Sequence, residues 1–203
     1  MANINGKFWD ERYAAEDTVY GTEPNIFFKE QINKLKPGKI LMPGDGEGRN
    51  GVYAAVNGWL VDSVDFSAVA RDKAVQFAHD SGTQISYLVI DLAEYEPHEN
   101  YYDTVGMIFL HLNEELRKTF FKKAVKSLKP GGRLIFEGYS KEQLGRDSGG
   151  PQKLEMLYDL DEIKNLFKEL NAEMAVQELI SLSESKFHSG EASVIRFVGR
   201  KKV

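Results

Sequence analysis

The sequence predicts an α/β fold: one doubly wound, seven-stranded sheet, mostly parallel, that finishes in an antiparallel β-hairpin. Three observations carry this. Short apolar runs alternate with helical stretches along most of the chain, the signature of parallel strands joined by crossover helices. The run from Tyr102 to Leu110 is apolar almost throughout, as a strand buried on both faces must be. The last two extended runs, 175–183 and 193–200, have no helix between them, so they are expected to pair as a hairpin at one edge.

The first stretch carries Phe8, Trp9, Tyr13 and Tyr20 among polar residues. Residues 1–36 are expected to form a helical cap segment on a core of 37–203, the two making a single domain. Thr22 with Pro24 predicts a helix start; Ile26, Phe27, Ile32 and Leu35 follow at helical spacing, and Pro37-Gly38 is the stop. Residues 39–43 form a short buried strand ending in the turn Gly44-Asp45-Gly46-Glu47-Gly48. A helix from Arg49 stops at Asn57-Gly58. A second strand covers 59–64, and Ser67 caps a helix reaching His79. Further strands cover 85–90 and 102–110, and Asn113 caps a helix to Leu128. Pro130-Gly131-Gly132 turns the chain into a fifth strand, 133–139. A Gly- and Ser-rich loop, 140–153, precedes a helix over 161–170.

Composition narrows what such a domain does. At 203 residues, 42% of them hydrophobic, the chain is long enough for one domain with an ample core. It has no cysteine, which excludes a disulfide framework, a thiolate metal site and a cysteine nucleophile. A net charge of -5 argues against a nucleic-acid partner, which needs a basic face. No apolar run approaches the ~20 residues of a membrane span. The opening MANINGKFWDERY has no apolar signal region, so a cytoplasmic protein is expected. His79, His98, His111 and His188 are scattered, and no metal site is expected. No heptad or patch reports on the oligomeric state.

The chemistry concentrates where the first strand hands over to its helix. Gly44, Gly46 and Gly48 let backbone approach a ligand closely, and the helix N-terminus offers free amides and partial positive charge. Asp65 ends the second strand about twenty residues on, where a carboxylate can accept both ribose hydroxyls. Asp91 and Leu92 close the third strand at the same edge, suited to an adenine amino group, although a lone aspartate there equally well forms a turn. Phe66 is placed either to stack beside the base or to join the core. The literal G-x-G-x-x-G over 46–51 starts one glycine late for a dinucleotide fingerprint. Asp45 and Glu47 would also repel a pyrophosphate. S-adenosylmethionine instead brings a sulfonium and an ammonium, which acids favour, and one carboxylate for Arg49 or the helix amides. A nicotinamide-dependent oxidoreductase is therefore the weaker alternative.

These residues also carry a resemblance. ILMPGDGEGRN is similar to the first motif of class I S-adenosylmethionine-dependent methyltransferases. VDSVDFS, VIDLAEYE, YDTVGMIFLHL and LKPGGRLIFEGYS resemble the motifs that follow, in the family's order. FWDERY, YGTEPN and GEGRN look like the tellurite-resistance and thiopurine-type group, whose members methylate soft chalcogen atoms or small molecules. The resemblance implies a Rossmann-like fold and a small-molecule methyl acceptor. It implies that Gly44, Gly46 and Gly48 line the methionine moiety and Asp65 holds the ribose; Phe66 and Ser67, next along the chain, are further candidate cofactor contacts. Asp91 and Leu92 would bind adenine; Phe109 and Leu110 would lie under the methionine and open toward the acceptor.

One departure stands out. The family's first motif usually reads L-D-L-G-C-G, with an acid inside the strand; here Met42 and Pro43 stand there and Asp45 replaces the cysteine. Either the acid has moved into the loop, with Asp45 or Glu47 meeting the ammonium, or cofactor affinity is weakened, which motivates a non-catalytic binding protein as an alternative. His111, just past the fourth strand, is the candidate base or acceptor contact, against a purely structural histidine. Trp9, Tyr13, Tyr20, Tyr139 and His188 are candidate acceptor contacts at the rim, against simple packing or exposure.

Overall fold

The computed structural model describes residues 6–14, 18–185 and 187–203; residues 1–5 and 15–17 of the expected cap segment lie outside that set. Strands β1 (Lys39–Pro43), β2 (Leu60–Asp65), β3 (Ser86–Val89), β4 (Tyr102–Ile108), β5 (Leu128–Tyr139), β6 (Leu170–Ser185) and β7 (His188–Lys201) form one sheet. Their order is β3-β2-β1-β4-β5-β7-β6. The first five strands are mutually parallel; β7 runs antiparallel to both β5 and β6, as the missing crossover helix requires.

Alternation along the strands builds two cores. Ile40 and Met42 point to one face, where Phe27, Phe28 and Ile32 of α2 (Ile26–Ile32) and Ala54 and Ala55 of α3 (Arg49–Val56) cover them. Leu41 points to the other face. There Phe120, Phe121 and Ala124 of α5 (Glu114–Ser127) join Ile163 of α6 (Leu160–Leu166) over Val105, Met107, Leu134 and Phe136. Both faces of β4 are thereby buried, the physical reason its sequence reads as a continuous apolar run. Helix α1 (Gly6–Tyr13) packs against α4 (Ala68–Asp80), with Tyr13 and Val19 buried beside Ala70.

Several expectations need correction. Asn25, not Thr22, caps α2: its side chain accepts from the Phe28 amide, and Pro24 precedes the cap. Pro130-Gly131-Gly132 does not precede β5 but makes an irregularity inside it, where pairing jumps from Tyr102–Leu128 to Thr104–Arg133. The last helix ends at Leu166, and Leu170 already begins β6. The hairpin is much longer than its apolar stretches, because backbone pairing runs on to Ser185–His188 through side chains too polar to signal a strand. The loop over 140–153 is packed: the buried Gln143 donates to Ser148 Oγ and Gly149 O, both at 2.9 Å, and accepts from the Ser193 amide at 2.9 Å.

Candidate cofactor and acceptor site

The chain winds outward in both directions from β1 and β4, so the crevice between their carboxyl ends is the topological switch point. Pro43 helps to open it. β1 stays paired with β2 as far as Pro43–Val64, but with β4 only to Leu41–Val105. Strand amides alternate between neighbours, and the Gly44 amide donates to Val64 O of β2 at 2.7 Å, so position 43 faces β4. Proline has no N–H to continue that ladder.

Beyond Pro43 the chain enters the glycine turn. Gly44 and Gly46 hold left-handed φ of 66° and 56°, which L side chains rarely adopt. A Cβ on Gly44 would come within 2.6 Å of Leu110 Cδ1, and one on Gly46 within 2.7 Å of the Tyr13 hydroxyl. The turn thus presents bare backbone to Leu110 and Tyr13, and the Tyr87 hydroxyl holds Gly46 O from below at 2.7 Å.

The loop's charged side chains are turned inward, which corrects the expectation that Asp45, Glu47 or Arg49 meets the charged ends of a ligand. Asp45 accepts from Ser63 Oγ at 2.6 Å and the Gly51 amide at 3.3 Å, and burial raises its carboxyl to about 7. Glu47 is buried between Lys73 Nζ at 3.0 Å and the Val19 amide at 2.7 Å. Arg49 pairs with Glu184 at 2.8 Å and donates to Glu23 O. These groups brace the loop against α4, the segment after α1 and the hairpin. The loop's acidity therefore does not discriminate between cofactors as the bare sequence suggests.

Asp65 is different. It is 7% exposed at the end of β2, and its protein partners are backbone donors, Gly46 N at 3.2 Å and Ser67 N at 3.0 Å. The Phe66 amide also supports the carboxylate, and with about four acceptor positions Asp65 keeps capacity for a ligand hydroxyl. Ser67 is committed elsewhere: its hydroxyl accepts from Ala70 N and bonds Asp10, so it serves as helix cap rather than ligand contact. Phe66 is half-buried beside it. Asp91 is exposed and accepts from the Ala93 amide at 2.9 Å, the turn alternative, while Leu92 is buried next to it. A glycine backbone face, a hydrogen-bonded acid with acceptor capacity to spare and an apolar floor fit the methionine, ribose and adenine parts of S-adenosylmethionine.

At the other side of the crevice the rim residues come together. Phe109 follows β4 with φ 51°, a strained conformation for a residue with a side chain. Its ring lies 4.6 Å from Tyr139 and 4.6 Å from His188, and Tyr20 is 4.9 Å from His188. Trp9 stacks on Tyr13 at 5.5 Å, and Tyr13 meets Tyr20 at 6.5 Å, which continues the aromatic wall toward the glycine turn. His188 is buried, not an exposed loop residue. His111 is corrected as a base: Nδ1 lies 2.9 Å from Met156 O, and Nε2 accepts from the Tyr139 amide. Both ring nitrogens are spent on backbone, and burial holds the ring down at about 4. It is a structural brace.

Sequence reading missed the polar network beneath this wall. Asn25 Nδ2 donates to Glu137 at 2.7 Å and to Glu184 at 2.9 Å, and the Asn25 amide donates to Asn50 at 2.9 Å. Glu137, fully buried on β5, pairs with Arg196, which also reaches Glu178 at 2.8 Å. The one available signal was a glutamate in the apolar run LIFEGY.

Residues 40–132, from β1 into the irregular part of β5, match the family described as a methyltransferase domain. This part of the chain, just under half of it, is a methyltransferase domain. No curated protein matches it. Solved structures share the fold of the chain at low identity. One comes from a study of the conversion of a disulfide bond into a thioacetal group during echinomycin biosynthesis; it is 17% identical over 97% of this chain and 93% of that one, with a TM-score of 0.77. The N-methyltransferase NodS from Bradyrhizobium japonicum WM9, in complex with S-adenosylhomocysteine, is 18% identical over 98% and 99%, with a TM-score of 0.73. TehB from Haemophilus influenzae is 19% identical over 86% of this chain and 61% of its own, with a TM-score of 0.72.

Proposed function

We propose that this chain is an S-adenosylmethionine-dependent methyltransferase that acts in the cytoplasm on a small-molecule acceptor with a soft sulfur, selenium or tellurium nucleophile. The observation that carries the reading is the aromatic wall of Tyr20, Phe109, Tyr139 and His188, closed over the carboxyl ends of β4 and β5. Such a confined apolar site suits a small acceptor better than a polymer, and ring edges attract polarizable chalcogen atoms. The resemblance of FWDERY and YGTEPN to the tellurite-resistance group and the fold shared with TehB support the same reading. No helix among the described residues is long and apolar enough to cross a membrane.

When bound, S-adenosylmethionine supplies an electrophilic methyl carbon on a sulfonium that leaves as a neutral thioether. Gly44, Gly46 and Gly48 would line its methionine part, Asp65 would take the ribose hydroxyls, and Leu92, with Asp91 and Phe66, would hold the adenine. Phe109 and Leu110 divide cofactor from acceptor. Tyr13, Tyr20 and Trp9 exclude water from the far side.

The test is calorimetric titration with S-adenosylmethionine, S-adenosylhomocysteine and NADH, followed by mass-spectrometric detection of methylated products from thiols, selenols and tellurite. Binding of both sulfur compounds without NADH, and methylation of at least one chalcogen acceptor, is expected. Binding of NADH alone would refute the cofactor. Methylation of amines or phenols in place of the chalcogens would refute the acceptor class.

A further inference from the structure

We propose that His188 is the base that takes the acceptor's proton, that Glu184 positions it, and that the acceptor is a thiol arriving in its protonated form. The proposal rests on the reading above of a methyltransferase with a soft acceptor, and narrows it: a pre-ionised oxyanion such as tellurite would have no use for a base.

The hairpin turn creates the pair. Ser185 and His188 are the last register partners of β6 and β7, which sets Glu184 and His188 side by side with His188 Nδ1 3.4 Å from Glu184 Oε2. Both side chains are buried, at 4% and 8% exposure. Glu184 is oriented from two further elements, by Arg49 of α3 at 2.8 Å and by Asn25 Nδ2 ahead of α2 at 2.9 Å. Burial works against its charge, but His188 and Arg49 hold the carboxyl down at about 2, so it is ionised at neutral pH. Burial lowers His188 below the usual imidazole range, against the pull of Glu184 and with help from Arg49 and Arg12. The contact at 3.4 Å is an ion-pair approach and not a formed hydrogen bond, but a carboxylate facing Nδ1 favours the neutral tautomer with its proton on Nδ1 and its lone pair on Nε2. Among the described residues, no donor or acceptor engages Nε2, in contrast to His111, whose two nitrogens are both taken.

Position supports the assignment. His188 stands at the same sheet edge as the glycine turn, its ring 4.6 Å from the strained Phe109 that ends β4 and 4.9 Å from Tyr20. The charged and titratable groups facing it are Arg12 of α1, Arg49 of α3, Glu184 of β6 and His111 after β4, with the phenols of Tyr20 and Tyr139. The aromatic surfaces suit a sulfur atom. In the reaction the thiol's sulfur pair forms the new bond to the methyl carbon, and the old carbon–sulfonium bond breaks with its pair passing to that sulfur. The S–H proton goes to His188 Nε2. Glu184 stays ionised and stabilises the imidazolium, which later yields the proton to water.

The experiment compares two thiols, benzyl mercaptan, which is protonated at neutral pH, and 4-nitrothiophenol, which is ionised, on wild type, His188→Gln and Glu184→Gln. S-adenosylhomocysteine calorimetry on each variant reports folding and cofactor affinity, and ¹⁵N imidazole NMR reports the His188 tautomer. The expected result is a loss on benzyl mercaptan of roughly 10²–10⁴-fold in His188→Gln, at least 100-fold greater than the loss on 4-nitrothiophenol. Glu184→Gln should show a smaller selective loss and a shifted tautomer balance, and Glu184→Asp should restore both. Equal losses on the two thiols with cofactor affinity kept, a wild-type Nε2–H tautomer, or no turnover of either thiol by wild type overturns the proposal. Failure of wild type to bind S-adenosylhomocysteine would instead overturn the cofactor reading beneath it.

Discussion

Asp45 stands where the resembling family commonly has cysteine, and its surroundings make it a pH-sensitive strut. Its carboxyl is raised by burial to about 7 from an ordinary value near 3.8. A raised acid holds more protons in the folded state than in the unfolded one, so its contribution is full at acid pH and is lost as pH rises from about 4 to about 7. The stability difference between Asp45→Asn and wild type should therefore move in the variant's favour by about 1–3 kcal/mol between pH 5 and pH 8 in urea unfolding. A constant difference across that range would show that Asp45 titrates normally. Asp65→Asn should weaken S-adenosylhomocysteine binding by about 1–3 kcal/mol in calorimetry, the worth of charge-assisted bonds to ribose hydroxyls; unchanged affinity would place the ribose elsewhere. The position of Asp65 at the end of β2 was legible from the spacing of the strand. The fate of Asp45, Glu47 and Arg49 was not, since Ser63, Lys73 and Glu184 reach them only in the folded chain.

Elements were read well where local chemistry sets their ends. Ser67 and Asn113 cap the helices they precede because a side-chain oxygen there satisfies a free amide, and both signals are local. Thr22 failed as a cap because Asn25 does the same work and is also held by distant partners. Asn25→Ala removes the α2 cap and leaves Glu137 and Glu184 without its two donors. It should cost about 2–4 kcal/mol, visible as a lower midpoint in denaturant titration. Gly46→Ala adds a methyl 2.7 Å from the Tyr13 hydroxyl at a left-handed φ. It should displace α1, with earlier hydrogen exchange over residues 6–13 as the readout and about 1–3 kcal/mol of lost stability. The run 175–183 was legible as a strand, but the ends of β6, which spans Leu170–Ser185, were not, because an edge strand buries little and little side-chain pattern is then imposed on it.

At the scale of the whole molecule, the parallel sheet and the terminal hairpin are joined through buried charge. Glu137 of β5 pairs with Arg196 of β7, and Arg196 also lies over the Phe27 ring of α2 at 4.8 Å. Arg196→Leu strands a buried glutamate whose carboxyl burial already pushes upward, and should cost about 3–5 kcal/mol. Urea unfolding at neutral pH checks this, and most of the loss should return in Glu137→Gln/Arg196→Leu. The sequence alone determined the raw material of the sheet, the glycine turn and the place of Asp65 at a strand end, because each depends on residues close along the chain or on one strand's periodicity; the class of cofactor followed from the order of the motifs and not from the loop's charge. Tertiary structure decided which polar groups remain available for chemistry. His111 and His188 look alike in sequence, yet one spends both nitrogens on backbone carbonyl and amide, while the hairpin sets the other beside a carboxylate at Nδ1 and, among the described residues, leaves Nε2 unengaged. That difference comes from pairings across dozens of residues, which no local spacing encodes.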